Sequence, residues 1–106
     1  MTDVCAQKYD EYEPRDDDIV ISGYRLIRTC FACPEQYEVF DDKTGERVGY
    51  LRLRYGHFRA DYPDCGGDTV FTAEPFGDGC FEENERMTYL TAAVAALHKR
   101  RNENGN

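Results

Sequence analysis

The sequence has no long hydrophobic run and no tryptophan, although hydrophobic residues make up 41% of its 106 residues. A membrane-spanning helix needs about 20 consecutive apolar residues, and no segment of the chain approaches that length. Met1 is followed by Thr2 and Asp3, and not by the basic stretch and apolar core of a secretory signal. We therefore expect a cytoplasmic protein with no membrane segment.

Residue types that carry nucleophilic catalysis are also scarce. Ser22 is the single serine, and no GxSxG elbow is present. The two histidines, His57 and His98, belong to different predicted elements, so neither a Ser–His–Asp nor a Cys–His set is indicated. No glycine-rich phosphate-binding motif precedes a helix. These absences favour a protein that is not an enzyme.

Positive charge is scarce and unevenly placed. The chain has 13 Lys and Arg against 21 Asp and Glu, a formal net charge of −8, and residues 60–85 hold eight acids and no base. This balance opposes general affinity for nucleic acid or anionic lipid. The acids do not have the spacing of an EF-hand loop, so a solvated face is favoured over a cation site. For binding a protein partner, the candidate acidic residues are Asp61, Asp64, Asp68, Asp78 and Glu82.

The chain length and the residue patterns predict a single small domain. Period-two alternation between turn residues predicts strands over 24–31, 36–40, 47–54, 57–62 and 69–74. The prediction is an α+β fold, in which an antiparallel β-meander of four to five strands carries one C-terminal α-helix on one face. Residues 19–101 form this domain, residues 1–18 an acidic arm that is mobile or loosely docked, and residues 102–106 a frayed tail.

The helix is the clearest predicted element. Acids precede it and bases end it, which complements the helix dipole. Its apolar stripe recurs at helical spacing and comprises Met87, Leu90, Val94 and Leu97. We expect this stripe to lie on the sheet.

A predicted hairpin around Tyr55-Gly56 separates an apolar from a basic face. Opposed residues in a hairpin share a face, so a two-residue turn fixes both sets. The apolar set, which we place under the helix, comprises Leu51, Leu53, Phe58, Ala60 and Tyr62. The second set, on the face that we expect to be uncovered, comprises Tyr50, Arg52, Arg54, His57, Arg59 and Asp61.

Arginines on adjacent strands repel each other by ~0.2–1 kcal/mol per opposed pair unless an anion lies between them. Two sources of that anion stay open. Carboxylates of this chain, such as Glu38 or Asp61, can form an internal salt-bridge lattice, which is the commoner outcome for charge clusters. Alternatively, the basic residues bind a phosphate or carboxylate ligand, with Tyr50 or Tyr37 stacking on a base.

The five cysteines are an odd number, and without a signal peptide we expect thiols and not a disulfide framework. A structural zinc site is the alternative, and its ligands would be Cys30, Cys33, Cys65 and Cys80. The sequence gaps lack the paired knuckles of zinc modules, so the prediction is that no cofactor is bound. The strand pattern and Pro34 also argue against a thioredoxin-like CxxC motif, which needs a helix start.

Four segments carry a resemblance to known sequences: Ala32-Cys33-Pro34-Glu35-Gln36-Tyr37, Gly49-Tyr50-Leu51-Arg52-Leu53-Arg54, Pro63-Asp64-Cys65-Gly66-Gly67 and Gly77-Asp78-Gly79. Together they resemble a family of small uncharacterised proteins carried by phages and other mobile elements. The resemblance brings no catalytic or binding residues. It implies that the protein, like many small acidic proteins of that origin, inhibits host defence in the manner of anti-CRISPR proteins.

Two functions from different classes follow. The leading hypothesis is a non-enzymatic inhibitor that blocks a protein partner, such as a host defence nuclease or effector, through its acidic surface. The alternative is a protein that binds or sequesters a small molecule, such as a nucleotide signal, at Arg52, Arg54 and Arg59.

Overall fold

The computed structural model describes residues 14–104. Over this range the chain forms a six-stranded antiparallel sheet, with the strands in sequence order, followed by a helix. The elements are β1 (Ile19–Ile21), β2 (Tyr24–Cys30), β3 (Glu35–Asp41), β4 (Arg47–Arg54), β5 (His57–Tyr62), β6 (Asp68–Ala73) and α1 (Glu83–Asn104). The predicted α+β class is confirmed. The predicted number of four to five strands is slightly low, because the short run Ile19–Ile21 pairs with β2 as an additional strand.

Two tight turns with left-handed backbone set the strand register. Ser22 and Gly23 have φ values of 52° and 86°, and Tyr55 and Gly56 have φ values of 55° and 72°. Positive φ at both central residues gives a turn whose twist matches that of antiparallel strands. The second turn opposes Arg54 to His57, which is the predicted register of the hairpin.

The helix packs on the predicted apolar face of that hairpin. Its buried residues are at most 2% exposed and comprise Leu90, Ala93, Val94 and Leu97. They share one core with Leu51, Leu53, Phe58 and Ala60. Met87, which was predicted to belong to the stripe, is 50% exposed, since Phe81 fills that end of the core with its ring 4.9 Å from that of Phe58.

An irregularity in β2 changes which of its side chains share a face. Arg28 opposes Tyr37 and Cys30 opposes Gln36, so Thr29 is an extra residue in the ladder. Consecutive residues of β3 point to opposite faces, and the bulge therefore places Arg28 and Cys30 on opposite faces of the sheet. Unbroken alternation predicts the same face for both.

The face opposite α1 is not open at its centre. Gln36, Glu38, Tyr50 and Asp61 are at most 4% exposed there. The Tyr50 hydroxyl donates a hydrogen bond to Oε1 of Gln36, and Arg47 Nε lies 3.2 Å from Oε1 of Glu38. The expectation of an uncovered second face is therefore wrong for its middle, where the polar side chains pair with one another. It holds beside the β4–β5 turn, where Arg54 and His57 are exposed.

The two ends of the described range bear on the predicted domain bounds. Residues 1–13 of the predicted arm lie outside the described residues, whereas Asp18 reaches the sheet, 3.3 Å from Nη1 of Arg25. The helix continues to Asn104, and residues 105 and 106 again lie outside the described part. Within residues 14–104, no helix is both long and apolar enough to cross a membrane.

Candidate functional site

Three loops meet at the end of the sheet where α1 begins, and we call this set the loop end: residues 31–34, 55–56 and 74–82. Antiparallel pairing brings every second connection to the same edge of a meander, which places these loops side by side. The Glu35 amide donates to the Gly79 carbonyl at 2.7 Å, and the Gly56 amide donates to the Asp78 carbonyl. A disulfide between Cys33 and Cys80 joins the first loop to the third.

The buried carboxylate of Glu35 lies below the loop end and holds it to the helix. Its oxygens accept hydrogen bonds from Arg86 Nε at 2.7 Å, from the Tyr37 hydroxyl and from the Phe81 amide at 2.9 Å. Burial alone would raise the pKa of Glu35, but the hydrogen bonds from Arg86, Tyr37 and Phe81 hold it below the ordinary value. The same burial and the Glu35 charge raise the pKa of Tyr37, so its hydroxyl stays protonated as a donor.

A second carboxylate fixes the loop between β6 and α1. Glu85 accepts hydrogen bonds from the amides of Phe76, Gly77 and Glu82 at 2.8–3.0 Å. Burial raises the pKa of Glu85, and these backbone hydrogen bonds outweigh that effect and lower it. Gly77 is required here, because a Cβ at this position would lie 2.0 Å from the Cys80 carbonyl oxygen. The loop therefore has a defined conformation.

Three large aromatic side chains project from the loop end into solvent. Phe31 is 71% exposed, Tyr55 is 80% exposed and Phe76 is 88% exposed. One belongs to each of the three loops. Arginines cover part of two of the rings, with the Arg54 guanidinium carbon 5.2 Å from the Tyr55 ring centre and that of Arg28 5.9 Å from the Phe31 ring centre. Large aromatic side chains exposed on ordered loops at one end of a sheet make this end the candidate for a protein-binding surface.

Exposed acids lie in the third loop of the loop end and at the adjoining first residue of α1. They are Glu74, Asp78, Glu82 and Glu83. Glu74 lies 3.1 Å from His57 Nδ1, and Glu83 lies 2.8 Å from Arg86. Two of the predicted partner-binding acids, Asp78 and Glu82, thus belong to this surface.

The other three predicted acids lie at the opposite end of the sheet and are used internally. Asp61 is 2% exposed and accepts from Thr69 Oγ1 at 2.9 Å. Asp64 accepts from the Cys65 amide at 2.7 Å and pairs with Arg47 at 3.2 Å, while Asp68 pairs with Arg100. The five candidate acids therefore do not form one exposed surface, because Asp61 is buried and the β5–β6 hairpin lies at the opposite end of the sheet from Asp78 and Glu82.

The predicted basic set lies together beside the β4–β5 turn. Arg52, Arg54, His57 and Arg59 line a shallow cavity of about 260 Å³, together with Tyr55. Arg59 Nε lies 3.3 Å from the buried Asp61 carboxylate, which neutralises part of the positive charge of this set. Tyr50 and Tyr37 are both buried and cannot stack on a ligand in this cavity, whereas Tyr55 can.

The zinc hypothesis is wrong for these cysteines. Cys33 and Cys80 are bonded to each other, Cys65 is also disulfide-bonded, and Cys30 is the one free thiol among residues 14–104. The expectation that the cysteines are free thiols is also wrong, because the fold brings the Cα atoms of Cys33 and Cys80 to 5.5 Å, a distance that a disulfide can bridge. The described residues contain no group of three or more His, Cys, Asp or Glu arranged to hold a metal ion.

The exposed aromatic residues are the functional candidates that sequence patterns did not single out. Phe76 stands between Pro75 and Gly77, and Tyr55 precedes Gly56 in the turn. A large aromatic residue inside a predicted turn is far from the core and is therefore expected to be exposed, and this expectation could have identified both positions.

Comparisons with protein-family models, with curated proteins and with solved structures found no match to this chain.

Proposed function

We propose that this protein is a non-enzymatic binding protein that docks its loop end on a basic surface of a protein partner. The observation that carries the proposal is the exposure of Phe31, Tyr55 and Phe76 on three loops that are fastened to one another. Burying an aromatic side chain of this size at an interface contributes about 1.5–3 kcal/mol before the losses of ordering are counted. Three such rings on fixed loops offer a partner an apolar contact area that needs little ordering.

Fixed loops matter because a flexible loop loses conformational entropy when it binds. The hydrogen bonds of Glu85 and Glu35 and the Cys33–Cys80 disulfide order the β6–α1 loop before any partner arrives. The loops that carry the rings therefore lose little conformational entropy on binding, and this raises the affinity per unit of buried area.

The charge of the loop end specifies the chemistry of the partner. Its exposed acids are Glu74, Asp78 and Glu82, and Glu83 adjoins them at the start of α1; all four belong to a stretch without any Lys or Arg. A basic partner surface with apolar pockets complements such a surface, and charge complementarity mainly accelerates association and selects the partner. In the setting that the resemblance to mobile-element proteins implies, the partner is a nuclease or another effector of host defence, and docking blocks its nucleic-acid channel.

The test compares what tagged proteins capture from cells of the host. Wild type is run beside a variant with Phe31→Ser, Tyr55→Ser and Phe76→Ser. The matched control is Val20→Ser, which removes a 47% exposed apolar side chain from the edge strand β1. We expect one basic protein to be captured by wild type and by the control and to be lost from the triple variant. Equal capture by all three proteins would refute docking through the loop end.

A second candidate function rests on the cavity lined by Arg52, Arg54, His57 and Arg59. Its arginines and the exposed Tyr55 ring suit a phosphate or carboxylate attached to a planar group, such as a nucleotide. Thermal unfolding with a panel of nucleotides at millimolar concentration tests this candidate, since a bound ligand raises the melting temperature. The stabilisation should be lost in Arg54→Gln, and a panel without any stabilising nucleotide would exclude the site.

A further inference from the structure

A free thiol, a disulfide and a guanidinium group lie together at the edge of the loop end. Cys30 Sγ donates a weak hydrogen bond to the Ala32 carbonyl at 3.6 Å. Sγ of Cys80, which is bonded to Cys33, lies 3.7 Å from the same carbonyl oxygen. The thiol and the disulfide therefore contact one common atom.

All three cysteine residues are at least partly exposed. Cys33 is exposed, and Cys30 and Cys80 are half-buried. Cys30 and Cys33 also have the CxxC spacing, which allows a short disulfide-bonded loop between them. Exchange with Cys30 therefore has two products, a Cys30–Cys33 disulfide or a Cys30–Cys80 disulfide.

Arg28 makes one of the two exchange products more favourable. Its Nη2 lies 3.8 Å from Cys80 Sγ, and its Nε donates a hydrogen bond to the Cys30 carbonyl at 2.9 Å. A guanidinium group next to a sulfur atom stabilises the thiolate form, which makes that sulfur the better leaving group. The geometry therefore favours release of Cys80 over release of Cys33.

We propose that Cys30, Cys33 and Cys80 form an intramolecular thiol–disulfide exchange site. The Cys30 thiolate attacks Cys33 Sγ, the Cys30–Cys33 bond forms, and the Cys33–Cys80 bond breaks with its electron pair on Cys80. The proton that Cys30 releases to solvent is matched by one that the Cys80 thiolate takes up. One disulfide and one thiol are present before and after the step, so no external oxidant or reductant is consumed.

Exchange changes the covalent connection of the loop end. Before it, the disulfide ties the loop that carries Phe31 to the loop that carries Phe76. After it, the disulfide joins Cys33 to the last residue of β2, and no disulfide connects the first loop to the third. The effect on partner docking rests on the proposed function, and the exchange does not. Under the proposed function, the exchanged form has a less ordered β6–α1 loop and binds its partner more weakly.

The experiment maps the disulfides of purified, unreduced wild-type protein by mass spectrometry after labelling with limiting N-ethylmaleimide. Trypsin cleaves after Arg28, Lys43, Arg59 and Arg86, so Cys30 and Cys33 share peptide 29–43, while Cys80 belongs to peptide 60–86. Without exchange, peptide 29–43 carries one label on Cys30 and is linked to peptide 60–86. With exchange, peptide 29–43 has an internal disulfide and no label, and the label is on Cys80. We expect the second pattern to accumulate with time in wild type.

Two variants decide the outcome. Cys30→Ser must abolish labelling of Cys80, and equal labelling of Cys80 in wild type and Cys30→Ser would overturn the proposal. Arg28→Gln should slow the labelling of Cys80 about fivefold to tenfold, whereas Arg28→Lys, which keeps the charge, should slow it less. Thermal unfolding of each variant verifies that it is folded. Because no partner is present, failure of this experiment leaves the docking proposal standing, and loss of partner capture leaves the exchange standing.

Discussion

Arg86 forms a two-point ion pair with Glu35, with Nε 2.7 Å from Oε2 and Nη2 3.2 Å from Oε1. The pair joins the first residue of β3 to the first turn of α1, and it lies beneath the loops that we propose as the docking surface. The Glu35 carboxylate is fully buried, whereas the Arg86 side chain is 16% exposed. The ordered conformation of the loop end therefore depends on a charge that the protein keeps out of water.

The first prediction concerns the stability that this pair provides. Glu35→Gln leaves the Arg86 guanidinium without its buried counter-charge and weakens the hydrogen bonds from Tyr37 and Phe81, and we expect the free energy of unfolding to fall by about 2–4 kcal/mol. Urea denaturation followed by circular dichroism measures this loss. Glu83→Gln, which removes only the exposed partner of Arg86, is the control and should behave like wild type. An equal loss in both variants would contradict the assigned role of Glu35.

The second prediction is a loss of stability in acid. Burial acts to raise the pKa of both Glu35 and Glu85, but the hydrogen bonds that they accept lower it in the folded protein. When the pKa of a carboxyl group is lower in the folded than in the unfolded protein, its ionisation stabilises the folded state at every pH above the unfolded pKa, which is about 4.3 for Glu. This stabilisation is lost as the pH falls through the pKa of the folded protein. We therefore expect the free energy of unfolding to decline steadily below about pH 4.5.

The same series of urea melts, run from pH 7 to pH 3, provides the control for this acid dependence. In Glu35→Gln with Glu85→Gln, both groups are uncharged at every pH, so the decline should be shallower although the starting stability is lower. Parallel curves for wild type and the double variant would show that other carboxylates cause the acid sensitivity.

The third prediction concerns the close approach of α1 to the sheet. A Cβ on residue 49 would lie 2.5 Å from Cδ1 of Leu97, whose side chain is 1% exposed and has no room to move away. Gly49→Ala should therefore lower the free energy of unfolding by about 1–3 kcal/mol through overpacking. Gly23→Asn is the control, because residue 23 is open to solvent and asparagine tolerates its positive φ. Comparable destabilisation by both substitutions would argue against close packing at Gly49.

The alternation of apolar and polar residues predicts the strands, and the residues of the turn predict the hairpin register. Both predictions succeed because strands and tight turns depend on residues that are close in the sequence. Tyr55-Gly56 with its flanking pattern is enough to oppose Arg52 to Arg59, as the structure has it. The bulge at Thr29 has no such local signal, since it follows from the way β2 and β3 fit together. Unbroken alternation therefore gives Cys30 the wrong face of the sheet, although the zinc alternative had grouped Cys30 with Cys80.

Charge patterns predicted where acids occur along the chain but not what they do. Asp61, Asp64, Asp78 and Glu82 look alike in the sequence, because all precede or lie within loops. Folding buries Asp61 beside Arg59 and Thr69 and leaves Asp78 and Glu82 exposed. The difference depends on which loops meet at which end of the sheet, a long-range property that no short sequence window contains.

The final prediction separates the two ends of the sheet by charge. Asp78→Asn with Glu82→Gln removes two exposed acids from the loop end, and Asp68→Asn with Glu103→Gln removes two exposed acids from the opposite end, so both variants have the same net charge. If the loop end docks on a basic surface, the first variant should bind the captured partner about tenfold more weakly and with a smaller salt dependence. The second should bind within about twofold of wild type, because its altered side chains are far from the interface and are screened by salt. Titration calorimetry at two salt concentrations measures both quantities, and equal weakening in the two variants would mean that overall charge, and not the loop end, attracts the partner.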